Sequence, residues 1–127
     1  QQQQTIRSSE EMAGMLRSRF KDLSYEIFAV VYLNQANRVL TTEVISEGGI
    51  TGTVADPRLI LKRALEKQST SVVLCHNHPS GNRMPSEADK VMTLKIKQAA
   101  AYLDIRVLDH IIVSDDGYFS FADEGLL

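Results

Sequence analysis

Two hydrophobic periodicities alternate along the 127-residue chain and predict the order of its elements. Apolar residues at helical spacing follow Ser8, Asp56-Pro57 and Ser86, which are residue types that begin helices. Runs rich in β-branched and aromatic residues predict strands between these helices. The predicted strands cover 25–33, 38–46, 71–75, 105–113 and 118–121. The resulting order α-β-β-α-β-α-β-β predicts an α/β fold in which the helices pack on a mixed β-sheet.

The beginning of the chain stands apart from this pattern. Gln1 to Gln4 form a polar tract with neither an apolar segment nor an initiator methionine. We interpret this tract as an expression remnant or a cut boundary, followed by a helix that ends near Phe20. The predicted division is therefore an N-terminal helix with its boundary remnant, 1–20, and one domain, 21–127. We also expect the chain to be a piece of a longer protein.

Composition and charge narrow the classes of function. With 43% apolar and 24% charged residues, the chain has the composition of an ordinary globular domain, and no apolar run is long enough for a membrane span. Its net charge is −2 and it has no basic stripe, so we do not expect this domain to bind DNA. The single cysteine, Cys75, excludes a disulfide framework and favours the cytoplasm.

The residues that suggest chemistry lie between the third predicted strand and the third predicted helix. His76 and His78 are two residues apart just past a buried strand, and in extended backbone such residues project to the same side. Asp89 lies in the first turn of the helix, and a loop with glycine and proline can fold that turn back over the histidines. Two histidines and one carboxylate leave a position open for water, which is the composition of a catalytic Zn²⁺ site.

Each half of this pattern has a plainer interpretation. Ser86-x-x-Asp89 alone is typical of a helix capping box, and His-x-His alone is typical of a solvated loop. Their succession between a buried strand and a helix favours the metal site, and Ser86 can serve both purposes. Cys75 should point away from the histidines and pack in the core.

The sequence of this segment resembles that of the JAMM (MPN+) metalloproteases, which carry an upstream glutamate, then His-x-His, seven residues and Ser-x-x-Asp. Seven residues separate His78 from Ser86 here. The runs His-Asn-His-Pro-Ser-Gly, Leu-Asp-His-Ile-Ile-Val and Ser-Phe-Ala-x-x-Gly are similar to the RadC family within that superfamily, over 25–127. Asn77 departs from the serine or threonine of eukaryotic deubiquitinases and puts ubiquitin-type specificity in doubt.

The resemblance implies a cytidine-deaminase-like architecture and a zinc metallopeptidase that hydrolyses a peptide or isopeptide bond. It implies that His76, His78 and Asp89 bind zinc, that Glu26 acts as general base on a zinc-activated water, and that Ser86 hydrogen-bonds the oxyanion. From the residues alone, two other carboxylates remain alternatives to Glu26, namely Glu43 and Glu47.

A second hypothesis comes from another class of function. The chain could be a non-catalytic binding or scaffold module of a protein associated with DNA repair, a label that RadC proteins carry. Family members often have an N-terminal helix-hairpin-helix-like region, which would lie outside this chain. We also predict that Asp109 and His110 form a buried, hydrogen-bonded pair on opposite faces of their strand. One of them could orient a zinc-binding histidine.

Overall fold

The computed structural model describes residues 4–48, 55–79 and 81–127. Within these ranges the predicted order of elements is confirmed. The helices are α1 (Ser9–Phe20), α2 (Pro57–Glu66) and α3 (Glu87–Ala101). The strands are β1 (Ile27–Leu33), β2 (Val39–Glu47), β3 (Ser71–Asn77), β4 (Arg106–Ser114) and β5 (Gly117–Ser120). Residues 1–3, 49–54 and Ser80 lie outside the described residues.

All three helix starts form where their capping residues predict them. The Ser8 hydroxyl accepts a hydrogen bond from the backbone of Glu11, and the Asp56 carboxylate accepts one from the backbone of Arg58. Ser86 caps α3 as part of a complete capping box with Asp89. Each cap satisfies an amide that would otherwise lack a partner at the start of the helix. None of the described helices is long and apolar enough to cross a membrane.

The strands form one mixed sheet in the order β2-β1-β3-β4-β5. The pair β3–β4 is parallel, because α3 carries the chain back across the sheet, and the other pairs are antiparallel. Strand β1 is buried along its whole length and lies inside the sheet, between β2 and β3. A tight turn at Asp115 and Asp116 joins β4 to β5.

Helices cover both faces of the sheet, and each face has its own core. Helix α1 packs through Met12 and Leu16 on the face that also buries Cys75. Helices α2 and α3 pack on the other face, around Phe28 and Leu74. The domain therefore has three layers, and a strand residue changes layer with every step along the chain.

Two strand ends differ from the prediction by two residues, the others by at most one, and both larger differences concern the histidine segment. Strand β3 continues through His76 and Asn77, because β1 and β4 pair with it on either side, so His76 lies in a strand and not in the loop. Strand β1 begins at Ile27, two residues later than predicted, because the amide of Ile27 donates to the side chain of Asn77. Helix α1 shares a core with the sheet. The division of the chain at residue 20 stays a prediction.

Candidate metal centre

Three side chains that can ligate a metal converge at the end of β3. One ligand atom each from Glu26, His76 and His78 lies within 4.8 Å of the other two. The Nε2 atoms of the two histidines are 2.7 Å apart, and Nε2 of His76 is 3.8 Å from a carboxylate oxygen of Glu26. The predicted projection of both histidines to one side is therefore confirmed.

Asp89 approaches the same histidine from the start of α3. Its Oδ1 lies 3.8 Å from Nε2 of His76, while its Oδ2 accepts a hydrogen bond of 2.8 Å from the backbone of Ser86. The Ser86 hydroxyl accepts in return from the amide of Asp89, at 3.1 Å. The capping box thus holds one oxygen of Asp89 and turns the other toward His76. Asp89 is not part of the trio within 4.8 Å, so its role as a ligand stays a prediction.

Among the three glutamates considered from the sequence, Glu26 is the one at the trio. It lies just before β1, with 38% of its side chain exposed. Glu43 lies on β2 and forms a two-point ion pair with Arg63, at 2.8 and 3.0 Å. Glu47 lies opposite Ile27 at the end of β2 and is exposed. The structure gives Glu43 a partner of its own, and that partner lowers the pKa of its carboxyl.

Asn77 holds the backbone on both sides of Glu26. Its Oδ1 accepts a 2.7 Å hydrogen bond from the amide of Ile27, and its Nδ2 donates to the carbonyl of Tyr25 at 3.0 Å. The residue between the two histidines therefore fixes the position of the neighbouring carboxylate. The sequence showed Asn77 only as a departure from the deubiquitinase pattern, and no local signal indicated this clamp.

The electrostatics of the histidines suit a metal ligand. His76 is almost fully buried, and burial lowers the pKa of its imidazole to about 4, against the opposing effect of Asp89. His76 is therefore neutral at neutral pH. Nδ1 of His78 contacts the carbonyl oxygen of Asn82, which can only accept a hydrogen bond. A neutral His78 must place its proton on Nδ1, so the lone pair of its Nε2 faces the trio.

The chemistry of these donors fits a divalent metal. Imidazole nitrogens together with carboxylate oxygens are the ligands that Zn²⁺ takes in catalytic sites, where one coordination position stays open. An imidazole must be neutral to bind a metal, and burial already supplies that state for His76. The residues present can therefore hold a metal ion.

An open groove runs past the trio. Its volume is about 770 Å³, and Glu26, His78 and Ser86 contribute to its wall. Its remaining lining residues are Ser24, Tyr25, Gly48, Pro79, Asn82, Met84 and Pro85. A groove of this kind leaves the trio accessible to an extended chain. It also brings the predicted catalytic pair, Glu26 and Ser86, to one surface.

Buried polar residues lie behind the trio. His110 on β4 places Nε2 3.3 Å from Nδ1 of His76, and Thr93 on α3 contacts the other nitrogen of His110 at 2.6 Å. Asp109 points to the opposite face, where Ser120 donates to it at 2.6 Å. The predicted burial of Asp109 and His110 on opposite faces is therefore confirmed. Cys75 is buried on the α1 face, as predicted, and burial raises the pKa of its thiol.

Comparisons with known proteins agree with this architecture. The sequence profile of the RadC-like JAB domain matches residues 6–126. A UPF0758 protein of Flavobacterium johnsoniae is 45% identical over 121 residues, which cover 95% of this chain and 53% of that protein. UPF0758 protein YfjY of Escherichia coli K12 is 42% identical over 120 residues, covering 94% of this chain and 75% of that protein. The chain spans about half the length of most of the curated relatives it matches.

Proposed function

Because the chain belongs to the RadC-like JAB domain family, we propose that it is a zinc-dependent hydrolase of the metallopeptidase type that cleaves peptide or isopeptide bonds. One observation carries this proposal: ligand atoms of Glu26, His76 and His78 converge within 4.8 Å, and two of these residues, Glu26 and His78, line an open groove. Asp89, 3.8 Å from His76, supplies a second carboxylate. In a buried structural site, four protein ligands and no groove would be expected.

The residues divide between holding the metal and moving the proton. His76, His78 and Asp89 would bind zinc, since two of them are imidazoles and the third turns a free oxygen toward His76. When bound, zinc would supply Lewis acidity, which makes water a stronger acid and polarises a carbonyl group. Glu26 would take the proton of the attacking water and deliver it to the leaving amine.

Ser86 would assist the carbonyl oxygen of the substrate. Its hydroxyl oxygen accepts from the amide of Asp89, which leaves the hydroxyl hydrogen able to donate into the groove that Ser86 lines. A donor in this position would stabilise the negative charge that develops on the carbonyl oxygen. The capping hydrogen bond orients the serine, so the helix start and the catalytic role support each other.

The groove supports a chain-like substrate. It is open along its length and is lined by Tyr25, Met84 and Pro85, which offer apolar surface beside the polar trio. An extended peptide segment could lie along such a surface with its scissile bond at His78. We infer that affinity for one particular sequence comes from outside this domain, because the groove is broad and unenclosed.

The test separates metal binding from catalysis. Elemental analysis should find about one zinc per chain in the wild type and much less in a His76→Ala/His78→Ala variant. Glu26→Gln should keep zinc but lose hydrolysis of peptide amides by at least about a hundredfold, because the amide cannot accept the proton of water. Glu47→Gln is the matched control: it changes an exposed carboxylate at the facing end of β2, and its turnover should stay at the wild-type rate.

Three outcomes would count against the proposal. Equal zinc in the wild type and the double histidine variant would remove the metal site. Full activity in Glu26→Gln would assign proton transfer to another residue. A zinc-loaded wild type that cleaves no peptide or isopeptide amide would favour the alternative, a non-catalytic module, and salt-dependent DNA binding by the same sample would identify that alternative.

A further inference from the structure

A continuous row of buried polar groups leads away from His76 into the protein. Its Nδ1 lies 3.3 Å from Nε2 of His110, and Nδ1 of His110 lies 2.6 Å from the hydroxyl of Thr93. That hydroxyl in turn lies 2.6 Å from the backbone carbonyl of Asp89. Thr93 and His110 have no exposed surface, so water does not compete for these hydrogen bonds.

The backbone carbonyl of Asp89, at the end of this row, determines the donor and the acceptor of every hydrogen bond in it. A backbone carbonyl has no proton, so the Thr93 hydroxyl must donate to Asp89. With its only hydrogen used there, Thr93 can only accept from His110, which must therefore carry a proton on Nδ1. His110 is fully buried, and its ring nitrogens contact only an imidazole and a hydroxyl, so no opposite charge compensates a second ring proton and Nε2 has no proton. That nitrogen can then only accept from Nδ1 of His76.

We propose that Thr93 and His110 are positioning residues that hold His76 in the tautomer with its proton on Nδ1 and its lone pair on Nε2. This inference rests on the metal site proposed above. The lone pair of His76 then faces that of His78 across 2.7 Å, because the Asn82 carbonyl holds the proton of His78 on its own Nδ1. Two lone pairs directed at each other repel, and a cation between the ring nitrogens and the carboxylates relieves that repulsion.

The same row joins the two elements that carry the metal ligands. It begins at His76 on β3, crosses β4 through His110, and ends at the carbonyl of Asp89 on α3. The ring of His110 is fixed in its plane, since it stacks on Phe121 with centroids 4.6 Å apart and an interplanar angle of 11°. We call this row of hydrogen bonds from His76 through His110 to Thr93 the relay. Hydrogen bonds that orient the ring of a histidine ligand raise the metal affinity of a site.

Removal of the Thr93 hydroxyl should change the tautomers of both His110 and His76. In Thr93→Val, which has nearly the same shape, Nδ1 of His110 has no acceptor. The proton of His110 should then move to Nε2 and donate to His76, whose own proton moves to the nitrogen that would bind metal. Zinc must displace that proton, so we expect zinc affinity to fall by about tenfold or more. Thr93→Ser keeps the hydroxyl and should restore the affinity.

The primary measurement does not use activity. With ¹⁵N-labelled histidine, the zinc-free chain gives signals from three imidazoles, and the chemical shifts of the ring nitrogens show which nitrogen carries the proton. We expect Nδ1–H for both His76 and His110 in the wild type, and Nε2–H for both in Thr93→Val. Nε2–H on His110 in the wild type would overturn the proposal.

Zinc titration against a chromophoric chelator gives the second readout, with Ile96→Val as the matched control. Ile96 is fully buried on the same helix, and the loss of one methylene perturbs the packing without any change to the hydrogen bonds. If Thr93→Val and Ile96→Val weaken zinc binding equally, the role of Thr93 is packing alone and the proposal fails. If the wild type binds no zinc, the proposed function fails, while the ring-nitrogen shifts still decide the relay. If Thr93→Val does not fold, the wild-type and Thr93→Ser spectra decide it.

Discussion

At the residue scale, three consecutive side chains at the end of β3 carry much of the candidate site. His76 and His78 face the trio, and Asn77 between them points to the other side of the strand, where it binds the backbone around Glu26. The alternation of a strand is what separates these roles. The ligands and the clamp of the proposed general base are therefore built from one tripeptide.

Asn77→Ala should loosen Glu26 without removing a metal ligand. It leaves the buried amide of Ile27 without its 2.7 Å partner, which costs about 1–3 kcal/mol in stability. Zinc content should stay near the wild-type value, while hydrolysis should fall because the carboxylate is less well placed. Urea unfolding and elemental analysis measure the two effects. Asn34→Ala is the control, since the Asn34 side chain also accepts from backbone amides, at 2.9 and 3.0 Å, but at the opposite end of β1 from Glu26, and an equal fall in hydrolysis in Asn34→Ala and Asn77→Ala would contradict this account.

At the element scale, the start of α3 does two things at once. Its capping box satisfies the first turn of the helix and also directs Asp89 toward His76. From the sequence, the pattern Ser-x-x-Asp alone is typical of a cap, and Ser86 can serve both a cap and a site. In the folded chain one oxygen of the carboxylate caps the helix, and the other remains free, so no choice is needed.

Ser86→Ala and Ser8→Ala form a matched pair. Each removes an N-cap oxygen that accepts a 3.1 Å hydrogen bond, so each should cost about 1 kcal/mol of stability. Only Ser86→Ala acts on the helix start that carries Asp89, so only that variant should weaken zinc binding and slow hydrolysis. Thermal unfolding gives the shared effect, and zinc titration gives the difference. Equal zinc affinity in the two variants would mean that the cap does not position Asp89.

At the scale of the whole molecule, the three-layer fold buries two imidazoles behind the groove. Burial depresses the pKa of His76 to about 4 and that of His110 well below its usual range, whereas both titrate near 6.5 in the unfolded chain. Between these values the unfolded chain binds protons that the folded chain does not. The stability of the zinc-free domain should therefore fall as the pH drops from about 6.5 toward 4.

Urea unfolding in the presence of a chelator measures this dependence. The slope should approach roughly 1.4 kcal/mol per pH unit for each histidine. His110→Phe removes one of the two imidazoles and should give a shallower slope. Burial raises the pKa of Asp109, which acts in the opposite direction, but that carboxyl is present in both proteins and cancels in the comparison. An unchanged slope in His110→Phe would show that His110 is not held neutral by the fold.

The chain after Asp89 also bears on the substrate. It is occupied by α3, β4 and β5, with short connections between them. The deubiquitinases of the superfamily that this chain resembles grip two ubiquitins with inserted segments, for which these connections leave little room. We therefore expect the zinc-loaded domain to cleave no ubiquitin linkage efficiently. A panel of linked ubiquitin dimers, with generic peptide amides beside them, provides the measurement. Efficient cleavage of one linkage by this chain alone would refute the expectation.

Most of the fold could be predicted from the sequence because its signals are local. Caps at Ser8, Asp56 and Ser86 satisfy amides within the same turn, and the apolar runs of β1 and β3 are buried on both faces, so each segment specifies its own type of element. The same local rule placed His76 and His78 on one side, since the period of a strand is two residues. The two histidines of the candidate site could be predicted for this reason, because they are near neighbours in the chain.

Tertiary structure decided what depends on contacts between distant segments. The strand ends at Ile27 and Asn77 are set by pairing between β1 and β3, which local propensity does not encode. The distinction of Glu26 from Glu43 arose in the same way, since only the folded chain gives Glu43 to Arg63 and brings Glu26 to His76. The row from His76 through His110 to Thr93 joins two strands and a helix. The direction of its hydrogen bonds is determined by a backbone carbonyl. Every residue carries that group, so the sequence gives no sign of which carbonyl accepts, and only the folded structure does.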